Sequence, residues 1–190
     1  MMKYLKIASV LALIALVCSA IIAGINLATA PVIAKNNEQT EEQTIQKIFK
    51  DYDKEKSSVS ATSSENITKK ILAADKDGNA LGYVYNVTGK NAYGTITLMV
   101  AIKDDMLYQV EFVTNEQSFA STVESHMRAS YPSSEKSSIE IGFAPQAGEK
   151  VNPLDENAVK NVDASCGATY GAKLIKELIL IAFEDYNKTY

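Results

Sequence analysis

The sequence has few of the side chains from which metal sites and nucleophilic sites are built. Its 190 residues include one histidine, two cysteines and no tryptophan. His126 has no cysteine or cluster of carboxylates near it, so neither a zinc site nor a serine–histidine–aspartate triad is supported. Glycine-rich phosphate loops are missing as well. We expect no metal site, no catalytic residue, and no hydrolase or nucleotide triphosphatase activity.

Positive charge is also scarce. The chain has 19 lysines and arginines against 23 aspartates and glutamates, which gives a net charge of -4. No cluster of lysine and arginine stands out along it. Because nucleic-acid binding depends on neutralising backbone phosphates with these side chains, we expect no nucleic-acid partner.

Apolar residues, in contrast, are concentrated near the N-terminus. Residues 7–25 are all apolar or small apart from two serines, and Lys35 follows this run. About 20 such residues cross the hydrocarbon core of a bilayer as a helix. The run exceeds the roughly 7–15 residues of a signal-peptide core, which favours an uncleaved anchor. Residues 28–30, Ala-Thr-Ala, would still suit a signal peptidase, so a cleaved signal peptide stays open as the alternative.

The lysines at the N-terminus predict the orientation of this single-pass anchor. Lys3 and Lys6 precede the apolar run with no acidic residue beside them. By the positive-inside rule, the N-terminus stays in the cytoplasm and the bulk of the chain is extracytoplasmic, held at the cell membrane. That compartment permits disulfides, but Cys18 lies in the span and Cys166 near the far end of the chain, so we expect the two not to pair.

The composition changes after the anchor. Pro31 predicts the end of the first helix. Residues 36–56 are polar but carry apolar side chains at helical spacing, which predicts a short amphipathic helix that docks on the domain through Ile45, Ile48, Phe49 and Tyr52. Residues 57–64 are rich in serine, which is typical of a linker. The chain thus divides into a membrane anchor (1–35), an amphipathic helix with a Ser-rich linker (36–65) and a folded domain (66–190).

The folded domain has the pattern of an α+β fold. Four segments alternate β-branched or aromatic residues with polar ones and are separated by turn sequences, which predicts an antiparallel meander of strands over 67–74, 81–88, 94–103 and 106–114. Helices are predicted over 118–130 and 171–186, with a short strand over 138–143 between them. We therefore expect an N-terminal transmembrane helix followed by a domain with an antiparallel meander and packed helices.

The segment directly before the last helix carries the most informative motif. Residues 163–169 read Asp-Ala-Ser-Cys-Gly-Ala-Thr. A hydroxyl at Thr169 would lie beside the unpaired N–H groups of the helix start, where a phosphate is stabilised. From spacing alone, however, a helix cap is the simpler interpretation of Thr169, and both interpretations stay open at this point.

This motif resembles the flavinylation motif Asp-x-x-(Ser/Thr)-Gly-Ala-Thr of the FMN-binding domain family. The family includes the G subunit of the Rnf electron transport complex and the C subunit of the sodium-translocating NADH:quinone reductase. Residues 27–34 are similar to the end of the family's membrane anchor. Residues 82–85, Gly89 with Lys90, and residues 93–100 resemble its central hairpin. The resemblance therefore covers most of the chain in the expected order.

The resemblance implies roles for the residues of the motif. Thr169 would carry FMN through a phosphoester bond, Asp163 is the acidic residue of the motif, and Gly167 and Ala168 are its close-approach positions. Cys166 stands where the family has serine or threonine, and a thiol donates weaker hydrogen bonds than a hydroxyl.

The family also has a stretch Glu-Thr-Pro-Gly-Leu-Gly near the flavin. Only its glutamate is present in this chain, as Glu116. After Thr169, Gly171 and Ala172 replace the threonine and serine that are common in the family. Three tyrosines, Tyr83, Tyr85 and Tyr93, are candidates for packing near the flavin ring, although each also suits the core.

The resemblance implies a membrane-tethered flavoprotein that relays electrons through covalent FMN as a subunit of an Rnf-type or related electron transport complex. Such a chain is a carrier rather than a self-contained enzyme, and its flavin performs the redox chemistry. Its implied partners are other membrane subunits and an ApbE-type flavin transferase, which takes FMN from FAD with magnesium. The alternative is a non-redox extracytoplasmic binding or assembly module that has lost flavinylation.

Overall fold

The computed structural model describes residues 2–62, 64–133 and 169–189. The predicted short strand over 138–143 lies outside these residues. Helices and strands follow one another in the order α1 (Met2–Ile48), β1 (Asp53–Ser60), β2 (Ile67–Ala74), β3 (Ala80–Asn91), β4 (Gly94–Lys103), β5 (Met106–Asn115), α2 (Ala120–Ser130) and α3 (Thr169–Thr189). The chain divides into two compact units, Met1–Glu41 and Glu42–Tyr190.

The first unit is helical along its described length, and the predicted end of the helix at Pro31 is wrong. α1 continues through Pro31 and extends over 47 residues. A proline removes one N–H donor from a helix. The Thr29 hydroxyl donates to the carbonyl oxygen of Ile25 at 2.9 Å, and the turns on either side keep their own backbone hydrogen bonds. Because the missing donor affects a single turn of a very long helix, the helix is not terminated there.

The apolar part of α1 has the properties expected of a membrane anchor. Among the described residues there is one helix long and apolar enough to cross a membrane, Lys6–Ile48, and none of its most apolar stretch is buried within the protein. A row of large apolar side chains that is fully exposed to water would be unfavourable. The length and composition of the helix therefore agree with the predicted span.

The end of α1 belongs to the second unit and packs on its sheet, as predicted for the amphipathic helix. Ile45, Ile48 and Phe49 are buried there, and Tyr52 packs against the same cluster. The helix ends at Ile48, however, and not near Lys56.

The predicted linker over 57–64 is wrong in its first half, because β1 (Asp53–Ser60) occupies that part of the chain. β1 is an edge strand that pairs antiparallel with β2, for example Val59 with Ile71. Its side chains are mostly exposed, so they form no apolar alternation. The strand is held by backbone pairing with a neighbour, which the composition of the segment does not reveal.

The four predicted strands of the meander are confirmed. The five strands lie in the order β1-β2-β3-β4-β5, and each pairs antiparallel with the next. The β4–β5 turn places Asp104 and Asp105 at φ angles of 54° and 60°. A two-residue turn of type I′ has this left-handed backbone at both positions, and aspartate adopts it more readily than most residues. The fold is α+β with an N-terminal apolar helix.

Both faces of the sheet are covered. One face carries Leu98 and Val100 of β4 and packs against α2 and α3. The other carries Met99 and Ala101 and packs against the end of α1. Alternate side chains of a strand point to opposite faces, so β4 is buried on both sides and forms the centre of the core.

Helix α2 was predicted to within two residues and α3 to within three at either end. α2 places Val123 and Met127 in the core, and α3 crosses the same face of the sheet. At its start, α3 begins at Thr169, two residues before the predicted start at Gly171.

An ion pair joins the C-terminal half of α3 to β2 inside the domain. Lys70 Nζ lies 3.0 Å from Asp185 Oδ2, and the two residues are 2% and 6% exposed. The same ammonium donates to Thr189 Oγ1 at 3.0 Å and lies 5.3 Å from the centre of the Tyr85 ring. These contacts satisfy a buried lysine and fix α3 along the sheet.

Candidate functional site

The candidate site is centred on Thr169 at the start of α3. Thr169 is exposed, and α3 has no acidic side chain in its first turn. The N–H groups of a helix's first turn have no partner inside the helix, and they carry the positive end of the helix dipole. A negatively charged phosphate attached to this hydroxyl would be stabilised there.

The first turn of α3 is pressed against α2. A Cβ atom at Gly171 would lie 2.5 Å from Cγ2 of Val123 and 3.0 Å from its Cγ1, which is closer than side chains pack. Ala172, the next residue, is buried. The contact gives a steric reason for the small residues after Thr169, where the FMN-binding family commonly has threonine and serine.

The tip of the β3–β4 hairpin forms a second wall beside this helix start. The side chain of Asn91 donates from Nδ2 to the carbonyl oxygen of Tyr170 at 3.1 Å. The rings of Tyr93 and Tyr170 have their centres 5.1 Å apart and are tilted by 31°. The residue after Thr169 is therefore held by both a hydrogen bond and a ring contact.

The loop between β5 and α2 contacts the same hairpin and brings Glu116 into this region. The N–H of Glu116 donates to the carbonyl oxygen of Thr95 at 2.9 Å, while its side chain is exposed. Gly94, at φ +142°, passes so close that a Cβ atom there would lie 2.1 Å from the Glu116 carbonyl oxygen. Thr169 and Glu116 are thus both placed around one hairpin tip.

The side chain of Gln117 ties this loop to the hairpin. Its Nε2 donates to the carbonyl oxygen of Gly94 at 2.7 Å and to Asn91 Oδ1 at 3.1 Å. Gln117 is buried, so these hydrogen bonds are shielded from water. Neither Asn91 nor Gln117 was singled out from the sequence, because a turn asparagine and a loop glutamine have no distinguishing pattern.

The other predicted site residues cannot be placed by geometry. Asp163, Cys166, Gly167 and Ala168 lie outside the described residues. Their predicted roles stay predictions.

Of the three tyrosines considered for packing near a flavin, only Tyr93 lies next to Thr169's helix start. Tyr85 is fully buried in the core. Tyr83 packs against that core and meets the ring of Tyr186 edge to face, at a centre-to-centre distance of 5.5 Å. Tyr170 was missed by the sequence analysis, although an aromatic residue directly after Thr169 is a usable signal.

Titratable groups with altered pKa values lie on other parts of the domain. Partial burial lowers the pKa of His126 on α2, and burial raises the pKa of Tyr131 to about 12. Within the described ranges, histidine, cysteine, aspartate and glutamate form no group of three or more that could hold a metal ion.

Comparison with protein families finds a match in the N-terminal part of the chain. A family model described as the RnfG N-terminal region matches residues 2–48. A comparison with curated proteins finds no match. The match at residues 2–48 supports an RnfG-like family and an Rnf-type subunit, and α1 is long and apolar enough to serve as its membrane anchor. The resemblance to the C subunit of the sodium-translocating NADH:quinone reductase has no separate support and stays a prediction.

Proposed function

We propose that this RnfG-like chain is an extracytoplasmic, membrane-anchored flavoprotein that carries FMN on Thr169 through a phosphoester bond and relays electrons in an Rnf-type complex. One observation carries the proposal. Thr169, the last residue of the flavinylation motif, is exposed at the positive end of α3, beside an exposed pair of aromatic rings. A hydroxyl, a phosphate-stabilising helix start and an exposed aromatic surface are what an attached flavin nucleotide would need.

The residues around Thr169 fit the phosphate of the cofactor. A phosphodiester keeps one negative charge, which the N–H groups and the dipole of the helix start would stabilise. The first turn of α3 has no carboxylate to repel it. In the family's motif, Gly167 and Ala168 let the backbone approach closely, and we propose the same role for them here. We assign Asp163 the place of the motif's acidic residue, and Cys166 that of its serine or threonine.

Attachment requires a second protein, for which we propose an ApbE-type flavin transferase that uses FAD and magnesium. The oxygen of the Thr169 hydroxyl forms a bond to the FMN-side phosphorus of FAD. The bond between that phosphorus and the bridging oxygen breaks, AMP leaves, and the hydroxyl proton passes to the transferase or to water. Because Thr169 is exposed, another protein can reach its hydroxyl.

The protein's own contribution is to retain and place the cofactor. Bound FMN supplies the redox chemistry, accepting and passing on electrons. The covalent bond keeps a cofactor that would otherwise be diluted outside the cell, and α1 keeps the domain at the membrane. By the positive-inside rule, Lys3 and Lys6 favour a cytoplasmic N-terminus, which would put the domain on the other side of the membrane. Electron donors and acceptors are then other membrane subunits of the complex.

The test is to express the full chain with a flavin transferase, denature it and measure both intact mass and in-gel flavin fluorescence. We expect the wild type to gain the mass of one FMN on the peptide that contains Thr169. Thr169→Ala should lose this mass and the fluorescence completely, because the hydroxyl that forms the bond is gone.

Thr114→Ala is the matched control, since Thr114 is another exposed threonine of the same domain. It should be modified as fully as the wild type. Flavin fluorescence retained by Thr169→Ala would contradict the assignment of Thr169. An unmodified wild type would instead favour the non-redox binding or assembly module.

A further inference from the structure

Two exposed tyrosines stand beside the proposed attachment point. Tyr93 is 43% exposed and Tyr170 is 59% exposed, and their ring centres lie 5.1 Å apart. One comes from the tip of the β3–β4 hairpin and the other from the first turn of α3, so the contact joins two separate elements. Two large rings that touch each other and remain largely open to solvent form a ready aromatic surface.

The side chain of Asn91 holds both tyrosines in place. Its Oδ1 accepts from the N–H of Tyr93 at 2.8 Å and from Gln117 Nε2 at 3.1 Å. Its Nδ2 donates to the carbonyl oxygen of Tyr170 at 3.1 Å. One amide group therefore fixes the backbone of both aromatic residues, and the surface is formed before any ligand binds. A preformed surface loses little conformational entropy on binding.

We propose that Tyr93 and Tyr170 are the platform on which the isoalloxazine ring of the flavin on Thr169 stacks, with Asn91 as the residue that positions it. This inference rests on the proposed function. It goes further by assigning the ring, and not only the phosphate, to residues of this chain.

The chemistry favours a flavin over another occupant. Tyr170 directly follows Thr169, so the cofactor would be attached one residue away from the platform. A covalent tether raises the effective concentration of the ring, so that a contact too weak to hold free flavin is sufficient. The isoalloxazine ring is flat and electron-poor, whereas the phenol ring is electron-rich, which suits offset parallel stacking.

The test uses flavin emission, because phenol rings in contact with isoalloxazine quench its fluorescence. The full chain is loaded by the transferase and purified in detergent, and its loading is verified by intact mass. The emission of the folded protein is then divided by its emission after denaturation. We expect this ratio to rise several-fold in Tyr93→Leu and in Tyr170→Leu.

Tyr108→Leu is the matched control. Tyr108 is also 43% exposed and also stacks on a ring, that of Phe49, but it lies on β5 near the β4–β5 turn. Its replacement should leave the ratio unchanged. An unchanged ratio in fully loaded Tyr93→Leu and Tyr170→Leu would overturn the platform while leaving the attachment at Thr169 intact. An absence of any mass gain in the wild type would overturn both proposals.

Phenylalanine variants give an independent test that keeps the packing. Tyr93→Phe and Tyr170→Phe retain the stacked rings, so the visible circular dichroism that a fixed flavin shows should keep its wild-type amplitude. Loss of that signal in folded, loaded phenylalanine variants would contradict stacking.

The role of Asn91 is tested separately. Asn91→Ala should stay fully loaded but show a higher emission ratio, because the two rings are no longer held together. Asn79→Ala, which removes an amide from a different turn, should behave like the wild type. A wild-type ratio in Asn91→Ala would remove Asn91 from the proposal.

Discussion

Single residues at the hairpin tip decide whether the site can form. Gly94 is the most tightly packed of these residues, because its Cα faces the carbonyl oxygen of Glu116. Its φ of +142° also suits only glycine. If the β5–α2 loop were displaced from Gly94, Gln117 would lose its hydrogen bond to the Gly94 carbonyl oxygen. The positions of Glu116 and Gln117 therefore depend on residue 94 being a glycine, which has no Cβ atom.

We expect Gly94→Ala to lower the free energy of unfolding by roughly 2–5 kcal/mol, since it combines backbone strain with a steric clash. Gly78→Ala is the matched control. Gly78 also has a positive φ, +84°, but nothing lies within 4 Å of the added Cβ, so only strain of about 1–2 kcal/mol is expected. Urea unfolding monitored by circular dichroism measures both variants. Equal losses would show that the clash at Gly94 is relieved without cost.

At the scale of elements, α3 connects the candidate site to the core. Its first turn carries Thr169 and Tyr170, and its middle fits the sheet at Gly89, where an added Cβ would lie 2.8 Å from Leu174 Cδ1. Its end is fixed by the Lys70–Asp185 pair. A helix packed along its whole length presents its first residue at a defined place. The stability of α3 is therefore a condition for the geometry of the site.

Breaking the buried pair on one side should be costly. We expect Asp185→Asn or Lys70→Met to destabilise the domain by roughly 3–5 kcal/mol, because the remaining charge would be buried without its counter-charge. The double variant Lys70→Met with Asp185→Leu should recover much of this loss.

The exposed pair Lys188–Glu184 on the same helix is the control. Its Nζ–Oε1 distance is 2.8 Å, yet Lys188→Met should change stability by at most about 1 kcal/mol, because exposed ion pairs are screened by water. Thermal unfolding compares the variants. A loss in Asp185→Asn as small as that in Lys188→Met would show that the buried pair does not stabilise α3.

For the whole molecule, the boundary between anchor and domain lies inside α1. The compact second unit begins at Glu42, well before the predicted domain start at residue 66. Ile45, Ile48 and Phe49 belong to this unit and cover the second face of the sheet. The last turns of α1 are therefore part of the core.

Two truncations test this division. A chain that begins at Glu42 should be soluble and unfold cooperatively, because it keeps both faces of the sheet covered. A chain that begins at Asp53 lacks Ile45, Ile48 and Phe49, whose burial is worth roughly 1.5–3 kcal/mol for each side chain. It should aggregate or melt at a much lower temperature. Equal melting temperatures would show that the end of α1 does not stabilise the domain.

Local pattern in the sequence was sufficient for the regular parts of the molecule. Residues 7–25 follow from the length of their uninterrupted apolar run. The strands of the meander and the apolar stripe of α3 follow from the spacing of their apolar residues, because alternate or helically spaced side chains share one face. The prediction from local pattern was wrong at β1, because its exposed side chains show no apolar alternation. It was also wrong at Pro31, because a long helix tolerates the loss of one N–H donor.

The sequence by itself determined an apolar span, an α+β domain and the position of a threonine at the end of a flavinylation-like motif. Only the tertiary structure decided what surrounds that threonine. Tyr93, Asn91 and Gln117 come from segments far from Thr169 in the chain, and the start of α3 meets Tyr93 and Asn91 only because the antiparallel meander brings the β3–β4 hairpin there. Contacts between distant segments depend on which strands pair and on where the helices pack on the sheet, and the local spacing of apolar residues does not specify either.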